Sequence, residues 1–351
     1  MKAWVLDGIN EFHLKEINKP QPEKGEVLVA VKAAGICGSD IPRIYKTGTY
    51  HYPLIPGHEF SGQVVELGGG VDENWLNKPV GVFPLIPCGN CEPCQKGKYE
   101  LCRQYGYIGS RQNGAFAEYV VVPAKNLIEL PAGVSYKAAA MLEPLSVAVH
   151  AARRSGLLEN RSIDVPIVVC GLGTIGMLVL AVLKGVGFKN VMAIGNKKLQ
   201  LDKAIQMGLG EDNYCDSKKS DVNDWIMKKT GDGAKVFFEC VGKGDTIKLA
   251  INSAAPEARV VMVGNPVADI SMERELYWKI LRNQLSVIGS WNSSFNGRND
   301  DDWHYALEVV KKGKIKLKEI VTHEYSIDEM ETGLFLMRDK GEDYLKVMSI
   351  I

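Results

Sequence analysis

Residues 167–176 read Ile-Val-Val-Cys-Gly-Leu-Gly-Thr-Ile-Gly, an apolar run that leads directly into three spaced glycines. The run predicts a buried strand at 167–170, and the residues after it predict a helix at 174–185. The glycines permit a tight turn, approach of the backbone to a pyrophosphate, and close packing of helix on strand. This stretch therefore predicts a dinucleotide site, with a ligand-free glycine-rich turn as the alternative. The predicted phosphate-binding residues are Gly171, Gly173, Thr174, Ile175 and Gly176.

Strand and helix patterns alternate after this stretch, with strands predicted at 190–194, 235–240 and 259–263 and a helix at 199–207. The alternation is typical of a doubly wound parallel sheet, a Rossmann domain over 150–289. Before it, short β-rich runs at 25–32, 63–67, 79–83 and 119–123 are separated by Gly, Pro and Asn, and predict a barrel-like β domain over 1–149. Pro144 is predicted as the first residue of a helix. Residues 290–351 are expected to rejoin the β domain, so the fold class is α/β with two domains.

Composition excludes several classes of function. Lys plus Arg and Asp plus Glu both number 42, so the net charge of zero lacks the basic character of a nucleic-acid binder. The start of the chain shows no apolar signal segment. The most apolar run, residues 175–183, is about half of a membrane span. We therefore expect a cytoplasmic protein with no membrane or nucleic-acid partner.

Four of the eight cysteines cluster within residues 86–104, which are rich in turn-forming residues. Thiolates at such short intervals are the preferred ligands of a closed, structural zinc site. A lobe with so few large apolar side chains cannot order itself by burial, so metal bonds would supply the order. Ordinary core cysteines or redox thiols are the alternative. The predicted ligands of this structural zinc are Cys88, Cys91, Cys94 and Cys102.

A second, mixed set of potential ligands precedes and follows the lobe. Cys37 ends a predicted strand, His58 and Glu59 open the next one, and Glu143 stands just before a predicted helix. Such a set suits a catalytic zinc, which usually keeps three protein ligands and one open position. Glu59 and Glu143 are each either ligands or hydrogen-bonding neighbours of the ion. Ser39 is predicted to relay the substrate proton, with a local turn hydroxyl as the alternative.

The second Rossmann strand ends in Gly195-Asn196-Lys197-Lys198, where an NAD enzyme normally has an acid for the ribose hydroxyls. The absent carboxylate and the two lysines favour NADP(H), whose 2′-phosphate is attracted by positive charge; solvated lysines and NAD are the alternative. Later strand ends are expected to border the nicotinamide or to be merely structural. Those residues are Val263, Gly264, Asn265, Ser290 and Trp291.

Four motifs add a family resemblance: Cys-Gly-Ser-Asp-Ile-Pro-Arg-Ile at 37–44, Gly-His-Glu-Phe-Ser-Gly at 57–62, Tyr-Ile-Gly-Ser-Arg at 107–111 and Val-Ile-Gly-Ser-Trp at 287–291. With them the chain resembles the zinc-containing medium-chain dehydrogenases/reductases over essentially its full length, in particular the polyol dehydrogenases and the galactitol-phosphate enzymes among them. The resemblance implies a GroES-like catalytic β-barrel, two zinc ions per chain, and oxidation of a secondary alcohol to a ketose. The galactitol-phosphate enzymes are NAD-dependent and have an aspartate where Gly195 stands, so this chain departs from them there.

The expected substrate is accordingly a polyol or a polyol phosphate similar to galactitol 1-phosphate, a small molecule oxidised at a CH–OH group. Arg43, Tyr50 and Arg111 are candidate substrate residues, because guanidinium groups match phosphate oxygens; salt bridges are the alternative for both arginines. Competing functions are an NADP-dependent sorbitol, alcohol or threonine dehydrogenase, a zinc protein that senses NADPH without catalysis, and a zinc-free quinone-reductase-like enzyme. We expect a homodimer or homotetramer.

Overall fold

The computed structural model describes residues 1–159, 163–298 and 300–351, and divides into two compact units. Unit 1 comprises Met1–Glu143, Ser294–Lys312 and Val321–Ile351. Unit 2 comprises Pro144–Ser293 and Gly313–Ile320. In the described ranges, no helix has both the length and the apolar character needed to cross a membrane.

The regular elements are numbered in chain order. The strands are β1 (Lys2–Gly8), β2 (Glu11–Glu16), β3 (Glu26–Ile36), β4 (Glu59–Leu67), β5 (Pro79–Val82), β6 (Leu85–Ile86), β7 (Gly106–Tyr107), β8 (Tyr119–Pro123), β9 (Leu127–Glu129), β10 (Ile167–Cys170), β11 (Val191–Gly195), β12 (Tyr214–Asp216), β13 (Ala234–Glu239), β14 (Ala254–Met262), β15 (Ser286–Gly289), β16 (Val321–Ser326) and β17 (Lys346–Ile350). The α-helices are α1 (Asp40–Pro42), α2 (Glu92–Gln95), α3 (Tyr136–Ala140), α4 (Leu142–Arg154), α5 (Thr174–Val186), α6 (Lys198–Gln206), α7 (Val222–Thr230), α8 (Gly244–Asn252), α9 (Arg274–Arg282), α10 (Asp302–Lys311) and α11 (Met330–Asp339).

Unit 2 is built on a parallel sheet with strand order β12-β11-β10-β13-β14-β15. The central strand β10 is buried at all four residues, as expected for a strand covered on both faces. Because every strand runs in the same direction, the carboxyl ends of β10, β11, β13, β14 and β15 share one edge of the sheet. The predicted doubly wound α/β fold is confirmed, and folds of this class generally bind ligands along this edge.

Unit 1 is organised around the long strand β3, which pairs antiparallel with β4, β8 and β17. The whole sheet has the order β16-β17-β3-β4-β5-β9, with β8 joined to β3. Aromatic side chains including Trp4, Phe12, Phe60 and Phe116 fill its core. The short pair β6 and β7 flanks the cysteine-rich lobe, which lies between them in the chain.

Several predicted bounds differ from the structure. The change from unit 1 to unit 2 falls after Glu143, six residues before the predicted 149, and the return falls at Ser294 instead of 290. Residues 313–320 belong to unit 2, although 290–351 were predicted to rejoin the β domain as one piece. Pro144 is the third residue of α4 and does not start it, because α3 runs into α4 through Met141 and the helix already begins at Leu142.

Candidate active site and metal centres

The four cysteines of the lobe converge on one point. Their sulfur atoms all lie within 4.8 Å of one another, with Sγ–Sγ distances of 3.4 Å for Cys91–Cys94 and 3.9 Å for Cys88–Cys94 and Cys91–Cys102. None of the chain's cysteines forms a disulfide. A tetrahedron with Zn–S bonds of about 2.3 Å has edges of about 3.8 Å, so these sulfurs fit a closed zinc site.

The lobe shifts the pKa values of this set in both directions. Burial raises the pKa of Cys94 to about 12. Backbone N–H groups of Asn90 and Cys91 lower the pKa of Cys88. Those of Arg103 and Cys94 lower the pKa of Cys91 to about 6. Hydrogen bonds to the charged form have this effect, and the thiolate is the form that binds metal.

A second convergence lies on the central sheet of unit 1. The thiol of Cys37, the imidazole of His58 and the carboxylate of Glu59 offer ligand atoms that all lie within 4.8 Å of one another. Cys37 directly follows β3, and Glu59 begins β4, where it is paired with Gly35 of β3. Antiparallel pairing thus brings together residues that are about twenty positions apart. His58 Nδ1 is buried without a hydrogen-bond partner in the described residues, and the mixed S/N/O donor set fits a catalytic zinc.

Asp40, which was not predicted as a site residue, lies next to Cys37 and His58. Its carboxylate is fully buried, accepts the backbone N–H of Cys37 at 3.0 Å, and lies 3.7 Å from His58 Nδ1. The Arg43 guanidinium donates to the same carboxylate at 2.6 Å. Arg43 is therefore engaged in the salt bridge that was the alternative to its proposed role as a phosphate anchor. Asp40 follows the proposed ligand Cys37 by three residues, and this short spacing was the feature of the sequence that could have indicated its role.

Lys346 is the second residue that the sequence did not reveal. Its ammonium group forms a buried ion pair with the Glu59 carboxylate and donates to the Ile36 carbonyl at 3.0 Å. Both side chains of the pair are only 2% exposed. Burial is the largest single influence on the pKa of Lys346 and lowers it. The charges of Glu59, Cys37 and Glu143 and the hydrogen bond to Glu59 together outweigh burial, so the pKa ends above its ordinary value. The ammonium thus provides a counter-charge for this carboxylate inside the protein.

Glu143 lies beside the trio but outside it, since its carboxylate does not belong to the group within 4.8 Å. Burial raises the pKa of Glu143 to about 7; His58 opposes this rise, Glu59 adds to it, and Lys346 and the Tyr107 hydroxyl oppose it. Burial also raises the pKa of Cys37 to about 12, helped by the Glu59 and Asp40 carboxylates. A bound cation reverses this balance, because a coordinating thiol is deprotonated outright.

The remaining predicted substrate and proton-relay residues are also in unit 1. Ser39 is exposed and makes no capping hydrogen bond to α1, the helix that it precedes. The Arg111 guanidinium lies 4.3 Å from the ring centroid of Tyr50 and 4.4 Å from that of Tyr105. It also donates to the Tyr50 hydroxyl at 3.1 Å. Tyr50 is 70% exposed, so this stack lies at the surface.

In unit 2, the backbone of the predicted phosphate-binding turn requires glycine at two of its three spaced positions. Gly171 has a φ of 89°, a left-handed value that favours glycine, and a Cβ at Gly176 would collide with the Gly171 carbonyl. Gly173 caps α5 and has open space around it. Thr174 and Ile175 form the first turn of this helix. The turn borders a cavity of about 430 Å³ at the carboxyl edge of the sheet, lined among others by Gly195, Asn196, Gln200 and Ser217.

Two side chains crowd the end of β11. A Cβ at Gly195 would lie 2.5 Å from the Tyr214 hydroxyl and 2.7 Å from Gln200 Oε1, so an aspartate there would require these side chains to move. Lys198 is exposed and pairs with Asp202 at 2.9 Å, whereas the Lys197 carbonyl accepts the Tyr214 hydroxyl at 3.1 Å. Tyr214 and Gln200 were not predicted, because their side chains reach this corner from β12 and α6.

The residues expected near the nicotinamide follow the strand ends of the same edge. The backbone N–H groups of Val263 and Gly264 both donate to the Glu239 carbonyl at the end of β13, at 2.9 and 2.8 Å. Asn265 follows them, and a Cβ at Gly242 would touch its backbone. Ser290 donates its N–H to Met262 at 3.0 Å, and Trp291 is 57% exposed.

A parallel dinucleotide-binding sheet combined with a β unit that carries a four-cysteine lobe and a Cys-His-Glu set defines a zinc-dependent dehydrogenase. Residues 23–132 match the alcohol dehydrogenase GroES-like domain, and residues 174–312 match the zinc-binding dehydrogenase family. The chain belongs to the zinc-dependent medium-chain dehydrogenase/reductase family, whose members are oxidoreductases acting on alcohols.

Curated relatives include dehydrogenases of polyols and of L-threonine. Galactitol 1-phosphate 5-dehydrogenase of Escherichia coli K12 is 33% identical over 329 residues, which cover 93% of this chain and 94% of the relative. Sorbitol dehydrogenase of Halalkalibacterium halodurans is 34% identical over 360 residues, which cover 99% of this chain and 98% of the relative. Both are similar to this chain over nearly its whole length, and the level of identity leaves the choice between their substrates open.

Solved structures agree on the fold and contain both nicotinamide cofactors. Galactitol-1-phosphate dehydrogenase from Escherichia coli has a TM-score of 0.90 at 32% identity, with complete coverage of both chains. An alcohol dehydrogenase from Escherichia coli CFT073, complexed with NADH, has a TM-score of 0.89 at 29% identity and coverage of 100% and 99%. A zinc-binding dehydrogenase from Sinorhizobium meliloti, bound to NADP, has a TM-score of 0.89 at 27% identity and coverage of 100% and 99%. A zinc centre and a nicotinamide cofactor are thus features of the family to which the chain belongs.

Proposed function

We propose that this protein oxidises a secondary alcohol of a polyol or polyol phosphate to the ketose, or catalyses the reverse reaction, with NADP(H) as cofactor. The observation that carries the proposal is the convergence of Cys37, His58 and Glu59 within 4.8 Å in a chain of this family. We further propose that Cys88, Cys91, Cys94 and Cys102 hold a structural zinc and that the active protein is a homodimer or homotetramer. Metal analysis of the purified protein tests the zinc assignment.

In this proposal, different side chains of unit 1 bind the metal, transfer the substrate proton and support the metal ligands. Bound by Cys37, His58 and Glu59, a zinc ion would supply Lewis acidity at the substrate oxygen. The exposed Ser39 hydroxyl, free of the α1 cap, accepts the hydroxyl proton and passes it to solvent. Asp40 holds the backbone N–H of Cys37 and lies 3.7 Å from His58 Nδ1, and Lys346 offers the Glu59 carboxylate a buried counter-charge. A nicotinamide bound at the strand ends of unit 2 would supply the hydride acceptor.

Arg111 supports a phosphorylated substrate. In the described ranges it forms no ion pair, in contrast to Arg43, and the faces of Tyr50 and Tyr105 hold its guanidinium in place without neutralising it. A positioned and uncompensated guanidinium is suited to bidentate phosphate binding. We therefore propose Arg111 as the anchor of the substrate phosphate and assign Arg43 to the support of Asp40.

Replacing Arg111 with methionine is expected to raise KM for a hexitol phosphate by at least about tenfold, since a charge-assisted hydrogen bond contributes about 1.5–3 kcal/mol. The KM for the free hexitol should stay within about twofold. Steady-state kinetics with galactitol 1-phosphate, galactitol and sorbitol measure both values. Arg153→Met, on α4 of unit 2, serves as a matched control. Equal effects on phosphorylated and free polyols would show that Arg111 acts on the fold of the site and not on phosphate.

The sorbitol dehydrogenase activity of one relative gives a second candidate function. Its similarity extends over 99% of this chain, slightly more than that of the galactitol-phosphate enzyme. The same substrate panel separates the two candidates, because a sorbitol dehydrogenase would prefer the free hexitol and be indifferent to Arg111→Met.

The strand end at Gly195–Lys198 supports NADP over NAD. Strand β11 carries no carboxylate, and Asn196 and Ser217 line the cavity at its end. Lys197 and Lys198 add positive charge near a 2′-phosphate, which a carboxylate would repel. We therefore expect kcat/KM to be higher for NADP than for NAD by at least about tenfold, or about 1.4 kcal/mol.

Asn196→Asp introduces one carboxylate at this corner without changing side-chain volume. It should lower kcat/KM for NADP about tenfold or more, and leave the value for NAD equal or higher, because the new charge repels only the 2′-phosphate. Asn213→Asp, on the short turn before β12, is the matched control and should alter neither value. A wild-type preference for NAD would refute the NADP assignment whatever the variant does.

A further inference from the structure

The cavity at the carboxyl edge of the unit 2 sheet is lined by a single charged side chain. Among the described residues of its wall, only Lys243 is charged, and none carries a carboxylate. The amide and hydroxyl side chains that line it are neutral; they are Asn196, Gln200, Ser217 and Thr246. A ligand that fills this cavity therefore meets one cation and no opposing acid.

The two lysines that the sequence predicted for a 2′-phosphate do not line this cavity. The Lys198 side chain is 83% exposed and its ammonium group pairs with Asp202 at 2.9 Å. Lys197 contributes its carbonyl to the corner, as the acceptor of the Tyr214 hydroxyl. The charges of both lysines therefore act on a ligand in the cavity only at longer range, where salt screens them.

The backbone at Lys243 is fixed by its neighbours. Its N–H donates to the Thr246 hydroxyl at 3.3 Å, and its carbonyl accepts the Ile247 N–H at 3.0 Å. The Thr246 hydroxyl in turn donates to the buried Glu239 carboxylate at 2.8 Å, and the Gly242 N–H donates to the same carboxylate at 2.9 Å. The side chain of Lys243 therefore starts from a well-defined point of the cavity wall.

The charge of Lys243 is not neutralised by an acid. In the part of unit 2 that the structure describes, its ammonium group forms no ion pair, whereas Lys248, five residues further along in α8, pairs with Glu273. Lys243 is itself exposed, so its side chain can approach a ligand without first breaking a salt bridge.

The sheet order places the ribose of a bound dinucleotide in the same cavity. Strand β10, which leads into the glycine-rich turn, lies between β11 and β13. A dinucleotide with its pyrophosphate on this turn has its adenosine ribose at the end of the second strand, here Gly195 and Asn196 of the cavity wall. Lys243, which follows β13, lines the cavity from the other side of the turn.

We propose that Lys243 is a specificity-determining residue that binds the 2′-phosphate of NADP(H). The proposal rests on the NADP(H) preference of the proposed function, and gives to Lys243 the direct contact that the sequence assigned to Lys197 and Lys198. A phosphate monoester carries between about 1.5 and 2 negative charges at neutral pH, and neutral groups alone cannot compensate them. An ammonium group offers a full charge and three donors, whereas the ribose hydroxyl of NAD(H) needs no cation.

The test measures binding to the full-length protein and needs no turnover. Adenosine 2′,5′-bisphosphate and adenosine 5′-monophosphate differ only in the 2′-phosphate, and calorimetric titration gives the Kd of each. The wild type should bind the bisphosphate at least about tenfold more tightly. Lys243→Met should weaken bisphosphate binding about tenfold or more, the fold-change expected for loss of a hydrogen bond to a charged group, and leave the monophosphate within about twofold. Lys243→Arg keeps the charge and should retain most of the difference between the probes.

Two further variants serve as comparisons. Lys248→Met removes the same charge from α8 at a position that does not line the cavity, and should change neither Kd. Lys198→Met should weaken bisphosphate binding less than Lys243→Met does, because its charge acts from a greater distance.

Four results would overturn the role of Lys243. They are an unchanged bisphosphate Kd in Lys243→Met, an equal loss for both probes, an equal loss in Lys243→Arg, and a larger loss in Lys198→Met. A wild type that binds both probes equally would refute the NADP(H) preference as well. A wild type that discriminates between the probes, combined with any of the four results, refutes only the assignment of the phosphate to Lys243.

Discussion

Cys37→Ala is expected to lower kcat/KM for polyol oxidation by at least about a thousandfold. Cys37 supplies the only thiol in the described Cys37–His58–Glu59 group, and without it the site loses the Lewis acid that accounts for several kcal/mol of transition-state stabilisation. NADPH binding should persist, because the glycine-rich turn and its cavity are formed entirely by unit 2. Kinetics, zinc content and NADPH fluorescence titration measure the three quantities.

Cys215→Ala is the matched control for this experiment. Cys215 is buried in β12, so the same substitution removes a thiol from the core without touching either proposed metal centre. It should keep zinc content and most of the activity. Full activity in Cys37→Ala protein that has lost the corresponding zinc would end the assignment of Cys37 as a catalytic ligand.

Lys346→Met is expected to reduce the free energy of unfolding by about 3–5 kcal/mol when the metal is removed by a chelator. Both members of the Lys346–Glu59 pair are 2% exposed, and removing one partner leaves a buried carboxylate without its counter-charge. The Glu59→Gln/Lys346→Met double variant should recover most of the loss, since it buries no charge. Urea unfolding followed by circular dichroism measures all three proteins.

Lys137→Met is the control for Lys346→Met, because it removes one partner of an ion pair at the surface. Lys137 pairs with Glu324 at 2.5 Å, but their side chains are 49% and 42% exposed, so its removal should cost no more than about 1 kcal/mol. If Lys346→Met were no more destabilising than Lys137→Met, the buried pair would contribute no more to stability than a surface pair. Zinc should reduce the difference between Lys346→Met and the wild type, because the cation offers Glu59 a second counter-charge.

Features encoded by short-range spacing could be predicted from the sequence. The four lobe cysteines lie within fifteen positions of one another, so the chain itself brings them together. The glycine-rich turn is equally local, and the strand of 167–170 is confirmed to the residue as β10. The Cys37–His58–Glu59 group required only the pairing of two successive strands of unit 1.

Features that depend on distant pairing could not be predicted. Lys346 is 287 positions from Glu59 and reaches it only because the last strand, β17, pairs with β3. One signal was available, a single lysine within the apolar run 345–351, since an unpaired charge is rarely buried. Tyr214 reaches Gly195 from the neighbouring strand β12, which the sequence pattern did not indicate at all.

The assignment of residues 313–320 to unit 2 limits how this protein can be divided. Ile315, Leu317 and Ile320 are buried, and the Lys314 carbonyl packs where a side chain at Gly185 of α5 would stand. The polypeptide passes between the units after residues 143, 293, 312 and 320. A fragment of residues 144–293 alone would lack the buried apolar side chains of residues 313–320, which belong to unit 2. A stable minimal version of unit 2 must therefore carry residues 313–320, joined by a linker.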